Sequence, residues 1–244
     1  MRHLDPYQER GLSCAHMRII LTLCLCLTLI ACGRPLTEAE RAYMVELQGE
    51  TFDASRARIV ENSLVGLNVQ RYPARPQTTC RERVVPPPDT PILEGRTGGI
   101  VLFNTLHVRA DLFTEDYTQM RDGRQNLYAA MFFAHEMTHI WQWQNRELTG
   151  YHPLRAAREH ATLEDPYLFD TTQDRRFLDY GYEAQASLVE EYVCCRAIDP
   201  GGARTSRLEQ LIGQVMPVTP WRDRADETDL YLPWDGVQTR GMCS

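Results

Sequence analysis

Lysine is missing altogether from this 244-residue chain: all 26 basic positions are arginine. That bias follows from a GC-rich coding sequence and carries no chemistry of its own. Also missing is any run of like charge. The 26 basic residues are outnumbered by 33 acidic ones, the formal net charge is −7, and no basic stripe is present, which argues against nucleic acid as a partner. Internal repeats and low-complexity segments are absent too. With 43% hydrophobic content, the chain is long enough to bury one sizeable core without a second domain.

No apolar run is long enough to stay in a bilayer. The longest, residues 19–31 (IILTLCLCLTLIA), has thirteen uncharged residues, too few for a permanent span and right for the apolar region of a secretory signal. Met17-Arg18 directly before it makes a compact start, so residues 1–16 read as a mis-assigned extension. Leu29-Ile30-Ala31-Cys32 resembles the lipobox of bacterial lipoproteins, in which the cysteine is acylated and becomes the first mature residue. In such proteins an Asp after that Cys implies inner-membrane retention. Here Gly33 follows, so the expectation is a lipid anchor in the outer membrane, facing the periplasm, with residues 1–31 removed and 32–244 forming one domain.

The usual C-x-x-C spacing of a cysteine metal site does not occur either. Apart from Cys32 and the cysteines of the signal, Cys80, Cys194, Cys195 and Cys243 remain. In an oxidising compartment they predict up to two disulfides, with adjacent Cys194 and Cys195 each reaching a distant partner, Cys80 or Cys243.

Hydrophobic periodicity and punctuation give the elements. Residues 37–45 open with Thr37 three positions before Glu40, the spacing of a capping box, and predict a helix. Residues 71–91 hold six prolines and read as a loop or extended strap. Residues 98–104 (GGIVLFN) read as a strand, and residues 126–144 (NLYAAMFFAHEMTHIWQWQ), free of Gly and Pro, as a buried helix. Residues 154–165 suit a surface helix, residues 182–198 a second strong helix closed by Pro200-Gly201-Gly202, and residues 207–215 one more. From about residue 216 the tail is irregular and suited to strap across the body.

The chemistry sits in His135-Glu136-Met137-Thr138-His139. Four residues apart on a helix, His135 and His139 present two imidazole nitrogens to one ion, the neutral ligands that zinc takes at about 2.0–2.1 Å. Glu136, turned by about 100°, can reach a zinc-bound water as general base without occupying the metal. Tyr128, Met131, Phe132 and Trp143 lie on or beside the histidine face and would keep competing water away.

A third ligand has to come from elsewhere. The position six residues past His139 holds Asn145, so a third histidine of the metzincin kind is missing. Glu159 lies twenty residues after His139, a spacing like that of the thermolysin group, but the surrounding REHATLED lacks that group's pattern. Glu183, opening the second strong helix with Ser187 and Glu190 on its face, is preferred. Glu190 or Glu191 is placed to orient a ligand imidazole, and Tyr180 or Tyr182 to offer a phenol to an oxyanion.

At this point HEMTHIWQWQ followed by YGYEAQA resembles the DUF4157-type (vgr-related) zinc metallopeptidases, over residues 37–200. The resemblance implies His135, His139 and Glu183 as ligands, Glu136 as base, and GGIVLFN as the strand flanking the cleft, with an edge that could hold an extended peptide. The lipobox and the cysteine set are not part of it, and they favour a resident envelope protein over an injected one. The fold expected is α+β, mainly helical and zincin-like, with the motif on an active-site helix, a small sheet, and a second helix supplying the third ligand. The function expected is a zinc metallopeptidase acting on a peptide or protein substrate in the cell envelope. The alternatives are a catalytically silent, zinc-stabilised lipoprotein that binds a protein partner, and a zinc hydrolase of cell-wall peptide crosslinks.

Overall fold

The computed structural model describes residues 33–218 and 230–244. The signal-like run, Met17 and Cys32 lie outside the described residues, as does the stretch 219–229 of the tail. Among the described residues no helix is long and apolar enough to cross a membrane.

The fold is α+β. In chain order the first half carries Arg34–Pro35 (β1), Glu38–Gln48 (α1), Arg58–Glu61 (β2), Val69–Pro73 (β3), Cys80–Arg83 (α2), Ile92–Arg96 (β4), Gly99–Leu102 (β5), Thr105–Val108 (β6) and Gln125–Asn126 (β7). The second half carries Leu127–Gln144 (α3), Arg146–Thr149 (α4), Pro153–Thr162 (α5), Tyr182–Ile198 (α6), Ala203–Ile212 (α7) and Leu230–Tyr231 (β8). A mixed sheet has the order β1-β2-β6-β5, with β2 and β6 parallel and β5 and β6 a tight antiparallel hairpin. Ile59, Val101, Leu106 and Val108 alternate with more exposed neighbours and turn one face of this sheet into the core.

α3 runs through the middle. Thirteen of its eighteen residues are buried, so it has no solvent face of its own. It packs on α6 along one side and on β5 and β6 along the other. Asn126 caps it, its side chain accepting from the Ala129 backbone N–H at 3.1 Å. At the far end Gly150 takes φ +67, a left-handed value that ends α4, and Pro153 then starts α5 at a position where a missing N–H costs nothing.

The expected helices are all present. α1 begins on the Thr37–Glu40 capping box, α6 spans the residues read for it, and the last helix begins four residues earlier than its sequence suggested. The proline-rich stretch is more ordered than a strap. Pro73 sits at a strand end opposite Ile92, and a helical turn at Cys80–Arg83 falls between the prolines, so neither element has a proline in its interior. Two disulfides join Cys80 to Cys194 and Cys195 to Cys243. Neighbouring residues on a helix point about 100° apart, so the Cys194-Cys195 pair ties α6 to two different segments, α2 and the tail. The tail does lie across the body: β8 pairs with β7, and the Cys243 carbonyl accepts from the Arg204 N–H at 2.8 Å.

Candidate metal centre

His135 and His139 lie one turn apart on α3, 9% and 6% exposed, with their rings edge to face. Glu183, in the first turn of α6 and 6% exposed, faces both. Its Oε2 is 3.2 Å from His135 Nε2 and 3.3 Å from His139 Nε2. The ligand atoms of these three residues all lie within 4.8 Å of one another, a group that could hold a metal ion.

The outer ring nitrogens have partners that set the tautomers. Gln142 donates from Nε2 to the Tyr182 carbonyl at 2.9 Å and to Gln185 Oε1 at 3.0 Å, so its Oε1 is the acceptor that faces His139 Nδ1 at 2.9 Å. His139 Nδ1 therefore carries the hydrogen. On the other imidazole, Nδ1 faces the Glu190 carboxylate at 3.2 Å and donates to it. Both histidines are thus left with Nε2 free to present a lone pair at the shared point.

Without a metal, protons take up that role. Burial opposes charge on His135, but hydrogen bonds to Glu183 and Glu190 outweigh it and carry the imidazole up to about 10. His139 is raised as well, burial again being overcome by the charge and hydrogen bond of Glu183. For Glu183 burial favours the neutral acid, and the charge of His139 together with hydrogen bonds from three histidines reverses this, holding the carboxyl far below the ordinary range. A strongly anionic point is being satisfied by protons on nitrogen.

Glu136 stands on the next face of α3, 7% exposed. Burial pushes its carboxyl above the ordinary range, against the pull of His135 and His139. Residue 99 beside it is glycine: a Cβ there would come within 2.7 Å of Glu136 Oε1, so the carboxylate or the strand would have to shift. A cleft of about 1270 Å³ opens on this side, and its walls include His135, Glu136, Tyr128, Phe132, Tyr167 and Gly98. β5 is the edge strand of the mixed sheet, and Gly98, the residue before it, is on the cleft wall.

The rivals have other work. Glu159 accepts from the backbone N–H of Tyr182 at 3.0 Å and of Glu183 at 3.1 Å, and so caps α6. Glu191 accepts from the N–H groups of Cys80 and Arg81 and from Arg204 Nε; Glu190 is the one beside His135. The phenols of Tyr180 and Tyr182 donate to the carbonyls of Asp170 at 2.6 Å and Gly150 at 2.9 Å, far from an oxyanion role. Met131 is buried behind the site, and Trp143 packs edge-on to Phe103.

Three neighbours were not legible in the sequence. His160 on α5 brings Nε2 to 2.9 Å from Glu183 Oε1, occupying the oxygen that the other two histidines leave. The Tyr167 hydroxyl is 3.4 Å from His160 Nε2, and the rings of Tyr151 and Tyr167 flank His139 and His135. Burial pushes both phenols up, so they remain O–H donors. The only signal for His160 was its place next to Glu159, and periodicity cannot tell a surface histidine from one that closes a site.

No protein-family model matches the chain, and no curated protein does either. Among solved structures it is similar to the "Effector domain of Pseudomonas aeruginosa VgrG2b", at 19% identity and a TM-score of 0.47, over 82% of this chain and 97% of that one.

Proposed function

We propose that the chain is a zinc-dependent metallopeptidase, with His135, His139 and Glu183 as ligands and Glu136 as general base. One observation carries the metal. Zinc with ligands at about 2.0–2.1 Å in tetrahedral array spaces them about 3.3–3.4 Å apart, and Glu183 Oε2 lies 3.2 and 3.3 Å from the two Nε2 atoms. Hydrogen bonds can have the same length, but a metal triad needs what is present: two imidazoles one helical turn apart, both directed by Nε2 at one carboxylate oxygen. When bound, zinc would polarise a substrate carbonyl and make water a nucleophile near neutral pH.

The protein's own groups do the rest. Glu136 faces the cleft and is positioned to take a proton from the attacking water and return it to the leaving nitrogen. Burial raises its proton affinity, the direction that helps a base hold a proton before returning it. Tyr167, also on the cleft wall, retains its O–H and can donate to the carbonyl oxygen as charge develops there. The edge strand β5 can line up an extended peptide. These roles amount to a zincin-like arrangement and agree with the DUF4157-type resemblance of the motif helix. The silent-scaffold alternative is disfavoured by the opening of the cleft onto Glu136.

The location in the cell envelope, through acylated Cys32 and with a peptide or protein as substrate, belongs to the same proposal. It is supported by the lipobox and by two disulfides suited to an oxidising compartment. The test is zinc content and peptide-library cleavage for the full chain and for Glu136→Gln. We expect zinc in both and turnover lowered by about 10²–10⁴-fold in the variant. Cleavage that survives Glu136→Gln sinks the mechanism.

A further inference from the structure

Resting on that reading, the strongest further feature is a chain of contacts that begins at a ligand and ends at a disulfide. His135 Nδ1 faces Glu190 Oε2 at 3.2 Å, and the same oxygen accepts from Arg81 Nη1 at 2.8 Å. Both members of this ion pair are mostly buried, at 12% and 16% side-chain exposure. Arg81 also lines the cleft beside His135 and Glu136, and its Nη2 donates to the Tyr167 carbonyl at 3.5 Å.

Arg81 is not on either helix of the site. It belongs to α2, a single turn of four residues within a proline-rich stretch, and such a turn has no stability of its own. Two things hold it against α6. Glu191, fully buried, accepts from the backbone N–H groups of Cys80 at 2.9 Å and Arg81 at 3.1 Å. The disulfide joins Cys80, the residue before Arg81, to Cys194, one turn beyond Glu190 on the same helix. The guanidinium is therefore delivered to Glu190 by a covalent link that spans 114 residues of sequence.

We propose that Arg81 is a positioning residue for the metal site, holding Glu190 against His135, and that the Cys80–Cys194 disulfide is what keeps it there. A carboxylate that orients a ligand imidazole loses this function if it can rotate, and a cation bonded to the same oxygen restricts it. With the disulfide reduced, only the Glu191 hydrogen bonds hold the turn, so Arg81 is less firmly kept on Glu190 and the first ligand is less firmly directed. The metal site would thus bind more tightly once the chain is oxidised.

The test measures the zinc dissociation constant of the full chain by competition with a chromophoric chelator, with circular dichroism to check folding. The variants are Arg81→Gln, Arg81→Lys, and Cys80→Ser with Cys194→Ser in the Arg81 and R81Q backgrounds. R81Q is expected to weaken zinc binding by about 10–100-fold, the range for partners that orient a ligand, with partial recovery in R81K, where the charge returns without the fork. Removing the disulfide is expected to weaken zinc to a similar degree with Arg81 present and to add little in R81Q, the non-additivity of two changes that break one link. Zinc binding by R81Q within about twofold of wild type overturns the proposal, and so does a disulfide effect of equal size in both backgrounds. If the disulfide variant does not fold, R81Q and R81K decide alone. Failure of the wild type itself to bind zinc refutes the metallopeptidase reading, whereas wild-type binding with an indifferent R81Q refutes only this inference.

Discussion

Two glutamates 24 residues apart compete in the sequence for one role, and the structure gives them opposite expected phenotypes. Glu183→Ala removes the oxygen shared by His135 and His139 and the one held by His160. Structural zinc sites are worth about 10–16 kcal/mol for four ligands, so one ligand corresponds to about 3 kcal/mol, or roughly 100-fold in zinc affinity. The metal-free chain suffers less, about 1–3 kcal/mol, because the imidazoles can shed their second proton. Glu159→Ala removes two backbone hydrogen bonds at the start of α6, a capping loss of about 1–2 kcal/mol. That lowers the midpoint of thermal unfolding by about 2–8 °C, with zinc affinity within about threefold of wild type. Chelator competition gives the affinities, and thermal circular dichroism in EDTA gives the stabilities. Zinc binding kept in Glu183→Ala and lost in Glu159→Ala would refute the assignment, since a cap cannot replace a ligand.

The metal should also be displaced by acid. His135 is raised to about 10, so throughout the neutral range at least one proton must leave before zinc enters; affinity should fall at least about tenfold per pH unit, or at least about 100-fold from pH 8 to 6, and more steeply where His139 is charged too. A flat profile would contradict this. The metal-free chain has the opposite sign: the stability that comes from charging His135 is complete below its ordinary value of 6.5 and fades as pH rises through about 10, measurable as a declining midpoint in EDTA. Gly99→Ala brings a Cβ within 2.7 Å of Glu136 Oε1 and should displace the base, lowering kcat by about 10–100-fold with zinc content unchanged. Loss of zinc there would mean that the strand, and not the carboxylate, had moved. Cys195→Ser with Cys243→Ser opens a loop of 48 residues and should cost about 4 kcal/mol, read as urea stability, with much less effect on zinc than breaking Cys80–Cys194.

Much of the site could be read locally. The i, i+4 spacing of His135 and His139 meets the geometry of a helix whatever packs on it, and Asn126 and Thr37 cap helices through contacts three residues away. Capping and periodicity are short-range effects, and for them sequence distance is spatial distance. Glu183 could be preferred because it opens a helix with other polar residues on its face while REHATLED around Glu159 lacks a known pattern, yet nothing local showed which of the two would meet the histidines.

What the sequence indicated by itself was the longer helices, one strand, and His135, Glu136 and His139 as candidates on one helix; the short helical turns Cys80–Arg83 and Arg146–Thr149 were not readable in it. Tertiary structure alone decided which carboxylate reaches the histidines, which cysteines pair, that His160 and Tyr167 close the site, and that Arg81 meets the Glu190 oxygen that faces His135. Each of those contacts joins elements that are separated by tens of residues, from the 23 between His160 and Glu183 to the 114 between Cys80 and Cys194. Their geometry comes from the packing of α3 on α6 and on the sheet. A periodic pattern shows which face of a helix is buried, but not which residue on another element will meet it.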